Sequence, residues 1–205
     1  GQLVKQTHRF FGSKKEFAGI RGIDIAHLYE EEINKKENIE VLLDAPVLGY
    51  YKEDGVLTAS YGGRHLKIKP RTIIIATGAM EKLIPFHNND LPGVYGAGAV
   101  QTLMNVHGVY PGQKVLMVGA RNIGLIVSYQ LMQAGVEVVA IVEGMDQIGG
   151  YWVHASKVKR LGIPILTRHT LLAAEGKGEV EGAVISKIDE NWKPIEGTSF
   201  TYDVD

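Results

Sequence analysis

Residues 115–144, VLMVGARNIGLIVSYQLMQAGVEVVAIVEG, decide the fold. The stretch opens on an apolar run, Val115 to Val118, and passes through a glycine turn. It continues with a helix-patterned segment and closes on a second apolar run ending in Glu143. Strand, turn, helix and strand in that order outline a nucleotide-binding β-α-β unit. In the usual G-x-G-x-x-G fingerprint the first glycine makes a tight turn and the second lets the backbone approach a pyrophosphate. The third allows the helix to pack closely on the strand. Gly119 and Gly124 hold the first and third places, and Arg121 stands where the middle glycine belongs.

A helix beginning near Asn122 would aim free N–H groups and its positive dipole end at a phosphate. A carboxylate at the end of the second strand could hold ribose hydroxyls, and Glu143 follows Gly119 by 24 residues, close to the usual ~20. Two readings stay open: a dinucleotide site, or a β-α-β unit whose glycines serve folding alone. The strand before the turn, the helix after it and the acid beyond favour the first. Arg121 either blocks the pyrophosphate or swings outward and pairs with it as a charged donor.

Upstream, residues 22–37, GIDIAHLYEEEINKKE, place Ile23, Ala26, Leu28 and Ile33 near one face and predict an amphipathic helix. From Ile39 to Ile75 the runs IEVLLDA, VLGYYKED, VLTASYGG and RHLKIKP alternate between turn residues such as Asp54-Gly55 and Gly62-Gly63, which predicts an antiparallel meander. The β-branched run Thr72 to Ile75 in RTIIIATGA predicts a strand buried on both faces. PFHNNDLPGVYGAGA reads as a connection, residues 99–107 as a helix, and VHASKVKRLG as another, with Gly162 following its end. The remainder reads as strands joined by Gly-Lys-Gly and Asn-Trp-Lys-Pro turns. Helix and meander thus occur twice, a hint of internal duplication.

Weaker candidates each have a plain alternative. GVYGAGAV contains G-x-G without a preceding apolar strand and reads as a connecting turn. Lys157, Lys159 and Arg160 could meet a ribose 2′-phosphate or form a solvated helix face. Tyr151 and Trp152 could stack on a ring or fill a core; Glu81 and Lys82 could be a surface pair. Ser128 lacks a G-x-S-x-G frame and reads as a helix residue. No residue stands out as a catalytic acid or base.

The 205 residues suffice for one large or two smaller domains, and 45% hydrophobic residues are ample for a core. With 22 basic against 23 acidic residues there is no field to hold nucleic acid or an acidic membrane surface. No apolar stretch reaches the ~20 residues of a membrane span, and GQLVKQTHRF lacks the apolar core of a signal peptide; a cytoplasmic location is expected. The absence of cysteine removes disulfides, thiolate nucleophiles and any redox-active disulfide. The seven histidines are scattered without a close ligand pair, so no metal site is expected.

The segments IIIATGAMEKLIPFHNNDLPGVYGAGAVQTLMN and VLMVGARNIGLIVSYQLMQAGVEVVAIVE resemble the FAD-dependent pyridine nucleotide-disulfide oxidoreductase superfamily. Within it they are most similar to the α-subunit group of sarcosine oxidases, dye-linked proline dehydrogenases and opine oxidases. The resemblance implies an α/β, Rossmann-like FAD/NAD(P)-binding fold with a parallel sheet plus an antiparallel β-meander, in two partial domains. Residues 1–88 would be part of the FAD-binding domain and 89–205 the NAD(P)-binding domain. By the same resemblance Gly1 and Gln2 end a G-G-Q-L run against the FAD, and Ala76, Thr77 and Gly78 form an A-T-G segment near it. Gly119, Ala120, Asn122, Gly124 and Glu143 match the NAD(P) site, with Arg121 as the departure. The chain would be the central piece of a larger flavoprotein that moves hydride between flavin and a nicotinamide, amine or amino acid. By itself this piece would hold flavin poorly. NAD is expected over NADP because of Glu143, and partner oxidoreductase subunits are implied. The alternative is a degenerate nucleotide-binding domain acting as a scaffold for subunit assembly.

Overall fold

The computed structural model describes all residues, Gly1–Asp205. They fall into two compact units, residues 25–79 and residues 1–24 with 80–205. The smaller unit begins within helix α1 (Gly22–Asn34) and carries the meander β1 (Val47–Tyr51), β2 (Val56–Tyr61) and β3 (Arg64–Ile68), paired antiparallel in sequence order. Asp54-Gly55 and Gly62-Gly63 make its two turns, as their composition predicts, with positive φ at Gly55, Gly62 and Gly63.

Three expectations for this region are corrected. The run IEVLLDA carries no strand; a turn with Asp44 at φ 53° interrupts it. In α1 the buried apolar side chain is Ile25, Ile23 and Ala26 are half-buried, and Leu28 and Ile33 are exposed, so the apolar stripe inferred from 23, 26, 28 and 33 is packed only at its start. Thr72 to Ile75 form no strand either, and Ile74 is 87% exposed. A β-branched run favours extended backbone, but a strand also needs a neighbour to close its ladder. The three-stranded meander is complete without it, and no other strand pairs with these residues.

The larger unit has three layers. The middle one is a parallel sheet in the order β4 (Lys114–Val118), β5 (Glu137–Glu143), β6 (Ile165–Thr167). Helices α2 (Ala97–His107), α3 (Asn122–Gln133) and α4 (Trp152–Arg160) cover one face, through a core that joins Val100, Leu125, Leu131 and Val158 to Met117, Val138 and Ile141. The antiparallel meander β7 (His169–Glu175), β8 (Gly182–Lys187), β9 (Phe200–Asp203) covers the other. There Leu116 and Val139 pack against Ala174, Val180 and Ala183.

Side chains of β5 serve both cores, with one irregularity in their alternation. Val115 pairs with Val138 but Leu116 pairs with Ala140, so Val139 is an extra residue, a bulge. The bulge shifts the alternation by one and puts Val138 and Ile141, three apart, on the same face. Helix α3 is buried nearly all round, including Gln130 and Ser128, because the sheet, α2 and α4 all pack on it.

Polar side chains also tie this layer together. Gln101 on α2, 1% exposed, exchanges amide hydrogen bonds with Gln6 at 3.1 and 3.2 Å. Its Nε2 also donates to Gln130 Oε1 at 2.9 Å, and Gln130 Nε2 donates to the Thr7 hydroxyl at 3.0 Å. Replacing Gln101 by leucine strands the amide of Gln6 and leaves Gln130 Oε1 without its donor, and each buried unpaired polar group costs ~1–3 kcal/mol. Gln101→Leu is therefore expected to destabilise the protein by about 3 kcal/mol in urea unfolding, despite its added apolar surface.

Candidate functional site

The glycine turn lies between β4 and α3. Gly119 adopts φ 99°, a conformation that disfavours a side chain, and a Cβ there would find nothing within 4 Å. Its N–H donates to Val142 O at 2.7 Å, which holds the turn against the end of β5. At Gly124 a Cβ would fall 1.9 Å from Gly119 O. The first glycine thus serves the turn and the third serves helix-strand contact, each for the reason its place in the sequence suggests.

Arg121 is the N-cap of α3, with φ −85° and ψ 179° and no capping side chain. The first intrahelical bond runs from Leu125 N to Arg121 O at 3.0 Å. The N–H groups of Asn122, Ile123 and Gly124 therefore precede the helical ladder, as at any helix start. The Arg121 side chain lies along the β5–α4 loop: a Cβ at Gly149 would stand 3.2 Å from its Cγ and 3.7 Å from its Nε. The Arg168–Asp146 ion pair and the His27–Glu30 contact leave the Arg121 guanidinium uncommitted.

Glu143 is buried and already employed. Its Oε2 accepts from Ala120 N at 2.8 Å and its Oε1 from Met145 N at 2.9 Å. One carboxylate thereby clamps the glycine turn to the chain leaving β5. The Ala120 amide is spent on this bond and its side chain is fully buried, so Ala120 helps shape the turn. A carboxylate has about four lone-pair sites, and acceptor capacity remains for a ribose.

The loop after β5 closes over the helix start. Gly150 N donates to Ala120 O at 3.0 Å and Tyr151 N to Asn122 Oδ1 at 2.7 Å. A Cβ at Gly150 would lie 3.0 Å from Asn122 N and 2.6 Å from Leu125 Cδ1. Gly149-Gly150 is thus a second glycine element of the site, and the doublet itself was its only mark in the sequence. Tyr151 is exposed and meets Phe11 edge-on at 5.5 Å, while Trp152 is exposed. Lys157 lies 5.3 Å from the Tyr129 ring.

Beside this loop, His8 and His154 stand edge to face at 6.0 Å, flanked by Phe10 and Phe11. His8 Nδ1 is buried without a partner. Burial first, then the neighbouring His154 and Lys157, push His8 from its ordinary 6.5 down to about 4; burial and Lys157 also lower His154. An unfolded imidazole takes up its proton near 6.5, whereas folded His8 resists until about 4. Between those values the unfolded state binds more protons, so stability rises with pH. Urea midpoints should therefore fall from pH 7 to pH 5, and His8→Phe should shrink that difference.

The other candidates lie elsewhere. Gly1 and Gln2 are exposed, just ahead of a short 3-10 turn, Leu3–Lys5. Ala76, Thr77 and Gly78 belong to the smaller unit and are exposed, with Gly78 at φ 77°. Glu81 is no partner of Lys82: its Oε2 accepts from Gly98 N at 2.9 Å and caps α2. No local pattern reveals this, because Glu81 lies far ahead of the helix it caps. Gly96 in GVYGAGAV is the N-cap of α2, so that stretch is a helix start. An apolar cavity of about 230 Å³ is lined by Leu116, Val118, Ala183 and Val204, and neither the glycine turn nor Glu143 lines it. No helix is long and apolar enough to cross a membrane.

Comparison with known proteins agrees with this arrangement. The pyridine nucleotide-disulphide oxidoreductase family matches residues 5–200. Sarcosine oxidase subunit alpha of Corynebacterium sp. (strain U-96) is 28% identical over 98% of this chain and 23% of its own length. The chain therefore spans about a quarter of that curated relative. Among solved structures, T. acidophilum thioredoxin reductase superposes with a TM-score of 0.70 at 17% identity, covering 100% of this chain and 63% of its own. L-proline dehydrogenase from P. horikoshii superposes with a TM-score of 0.61 at 22% identity, covering 100% of this chain and 33% of its own. At these identities the structures speak to the fold.

Proposed function

Because this chain belongs to the pyridine nucleotide-disulphide oxidoreductase family, we propose that its glycine turn binds the pyrophosphate of a nicotinamide dinucleotide, with Glu143 facing the adenine ribose. The observation that carries the reading is the open space over Gly119 beside the leading N–H groups of α3, with a buried carboxylate at the end of the next strand. Backbone donors at a helix start favour an anion there. Residues 89–205 form the NAD(P)-binding domain in this reading, and NAD is the preferred form.

Residues 1–88 belong to an FAD-binding domain. Gly78 has open space where a side chain would stand, and Ala76 and Thr77 are exposed, so this backbone is approachable to a flavin. Bound FAD supplies the hydride-accepting ring, while the protein supplies binding and orientation. The donor is a nicotinamide, or an amine or amino acid, as the names sarcosine oxidase and L-proline dehydrogenase suggest. The relative's description as a subunit supports assembly with further oxidoreductase subunits.

A second reading is a non-catalytic scaffold, favoured by Arg121 in the middle-glycine place and by the commitment of Glu143 to two backbone amides. Calorimetric titration of the full-length protein with NADH, NADPH and ADP, alongside its visible spectrum, separates the two. The catalytic reading expects nucleotide binding and a flavin band; a scaffold gives neither. In the same experiment Arg121→Gly is expected to tighten NADH binding about tenfold, by opening the backbone to the pyrophosphate. Loosening by ~1.5–3 kcal/mol would instead make Arg121 a phosphate ligand.

A further inference from the structure

We propose that Trp192 is an aromatic platform for the adenine of the bound nucleotide, an inference that rests on the dinucleotide reading of the glycine turn. Trp192 sits in the turn between β8 and β9. The benzene half of its indole lies on Gly144, the residue that directly follows Glu143. A Cβ at position 144 would fall 2.5 Å from Trp192 Cζ3 and 3.3 Å from Cη2. A side chain there would displace the ring, so Gly144 is the floor on which the tryptophan rests.

Trp192 is nonetheless 61% exposed. A large aromatic left open to water is ordinarily mobile, but this one is held by its turn. Asp189 Oδ1 accepts from Asn191 N at 2.8 Å and from Lys193 N at 2.9 Å. Trp192 N donates to Asp189 O at 3.2 Å, and Asp189 N to Lys193 O at 2.9 Å. Trp192 itself takes φ 63°, the left-handed region that a bulky residue rarely occupies. Four hydrogen bonds and an unfavourable backbone conformation thus serve to present an exposed indole beside one glycine. Backbone strain of this kind is a pointer to function when something else at the same place also points there.

That second pointer is Glu143. With the pyrophosphate at the head of α3, the acid at the end of the second strand meets the ribose on the adenosine side. Adenine is attached to that ribose, so it comes to rest within one sugar's breadth of Glu143, where Gly144 and the indole lie. Base-aromatic stacking needs only a flat, open ring and is indifferent to hydrogen-bonding pattern, so Trp192 contributes affinity while Glu143 distinguishes the ribose hydroxyls.

The test uses the full-length protein with ADP and inorganic pyrophosphate as probes, for wild type, Trp192→Phe and Trp192→Ala. Stacking on an aromatic residue is typically worth roughly tenfold to a hundredfold in affinity. Trp192→Ala should weaken ADP binding by about that factor, and Trp192→Phe by only a few-fold. Pyrophosphate binding should be unchanged in both variants, which also reports that the turn and α3 remain folded. ADP affinity unaffected by Trp192→Ala would overturn the platform and leave the glycine-turn reading standing. Wild-type protein that binds neither probe would overturn both. Equal losses for ADP and pyrophosphate would show that Trp192 acts only by supporting Gly144 and the fold.

Discussion

Alanine at position 124 is expected to destabilise the protein by about 3 kcal/mol in urea unfolding and to abolish pyrophosphate binding. The sign is what makes the result informative. At an exposed helical position, exchanging glycine for alanine stabilises by roughly 0.5–1 kcal/mol, because alanine loses less backbone entropy on folding. Here the new methyl would stand 1.9 Å from the carbonyl oxygen of Gly119 and 3.1 Å from its carbonyl carbon. Both obstacles are backbone, so no rotamer change relieves them. Either α3 moves off β4, opening the core around Leu125 and Met117, or the turn at Gly119 deforms. Overpacking typically costs ~1–3 kcal/mol, and contact with backbone belongs at its upper end. A raised urea midpoint for Gly124→Ala would show that helix and strand are not in close contact.

Substitution of Glu143 should have two separable effects. Glu143→Ala removes the acceptor of the Ala120 and Met145 amides. Hydrogen bonds to a charged group are worth ~1.5–3 kcal/mol each, and a loss of about 3 kcal/mol of stability is expected since the two share one carboxylate. Glu143→Gln keeps the side chain's size and one good acceptor, so the fold suffers less while the charge is gone. That variant isolates cofactor choice. A 2′-phosphate about 4 Å from a carboxylate is repelled by roughly 4 kcal/mol at an effective dielectric of 20. Salt and side-chain movement leave ~1–3 kcal/mol of this, about 5-fold to 150-fold in favour of NADH. Dissociation constants for NADH and NADPH are the measurement. Glu143→Gln should bring the two together, and a preference that survives it would assign cofactor choice to other residues, with Lys157 and Arg160 first among them.

The β-α-β unit was legible because its signals are local. The apolar runs at 115–118 and 137–142, and the glycines at 119 and 124, constrain backbone over short distances. The same holds for the Gly-Lys-Gly and Asn-Trp-Lys-Pro turns, which join β7 to β8 and β8 to β9. What the sequence hid depends on distant partners. Glu81 caps a helix that begins many residues later, and the Gln6, Gln101 and Gln130 amides meet across as many as 95 positions. The Thr72 to Ile75 run misled for the same reason, since β-branching speaks for extended backbone but says nothing of a neighbouring strand. At Glu143 the position was readable from its spacing, whereas its clamp on Ala120 and Met145 was not. Polar side chains reveal their partners only once the chain has folded back on them.

The exposed run around Ile74 bears on handling as well as on architecture. Thr72 to Thr77, TIIIAT, contains no charge, proline or glycine, and Lys69, Pro70 and Arg71 stand guard on one side of it. A short, uncharged, β-prone segment open to water is a template for strands of neighbouring molecules. Colloidal behaviour at high concentration should therefore be governed by these six residues more than by the near-neutral net charge. A single lysine at position 74 would serve as a gatekeeper, keeping chains apart.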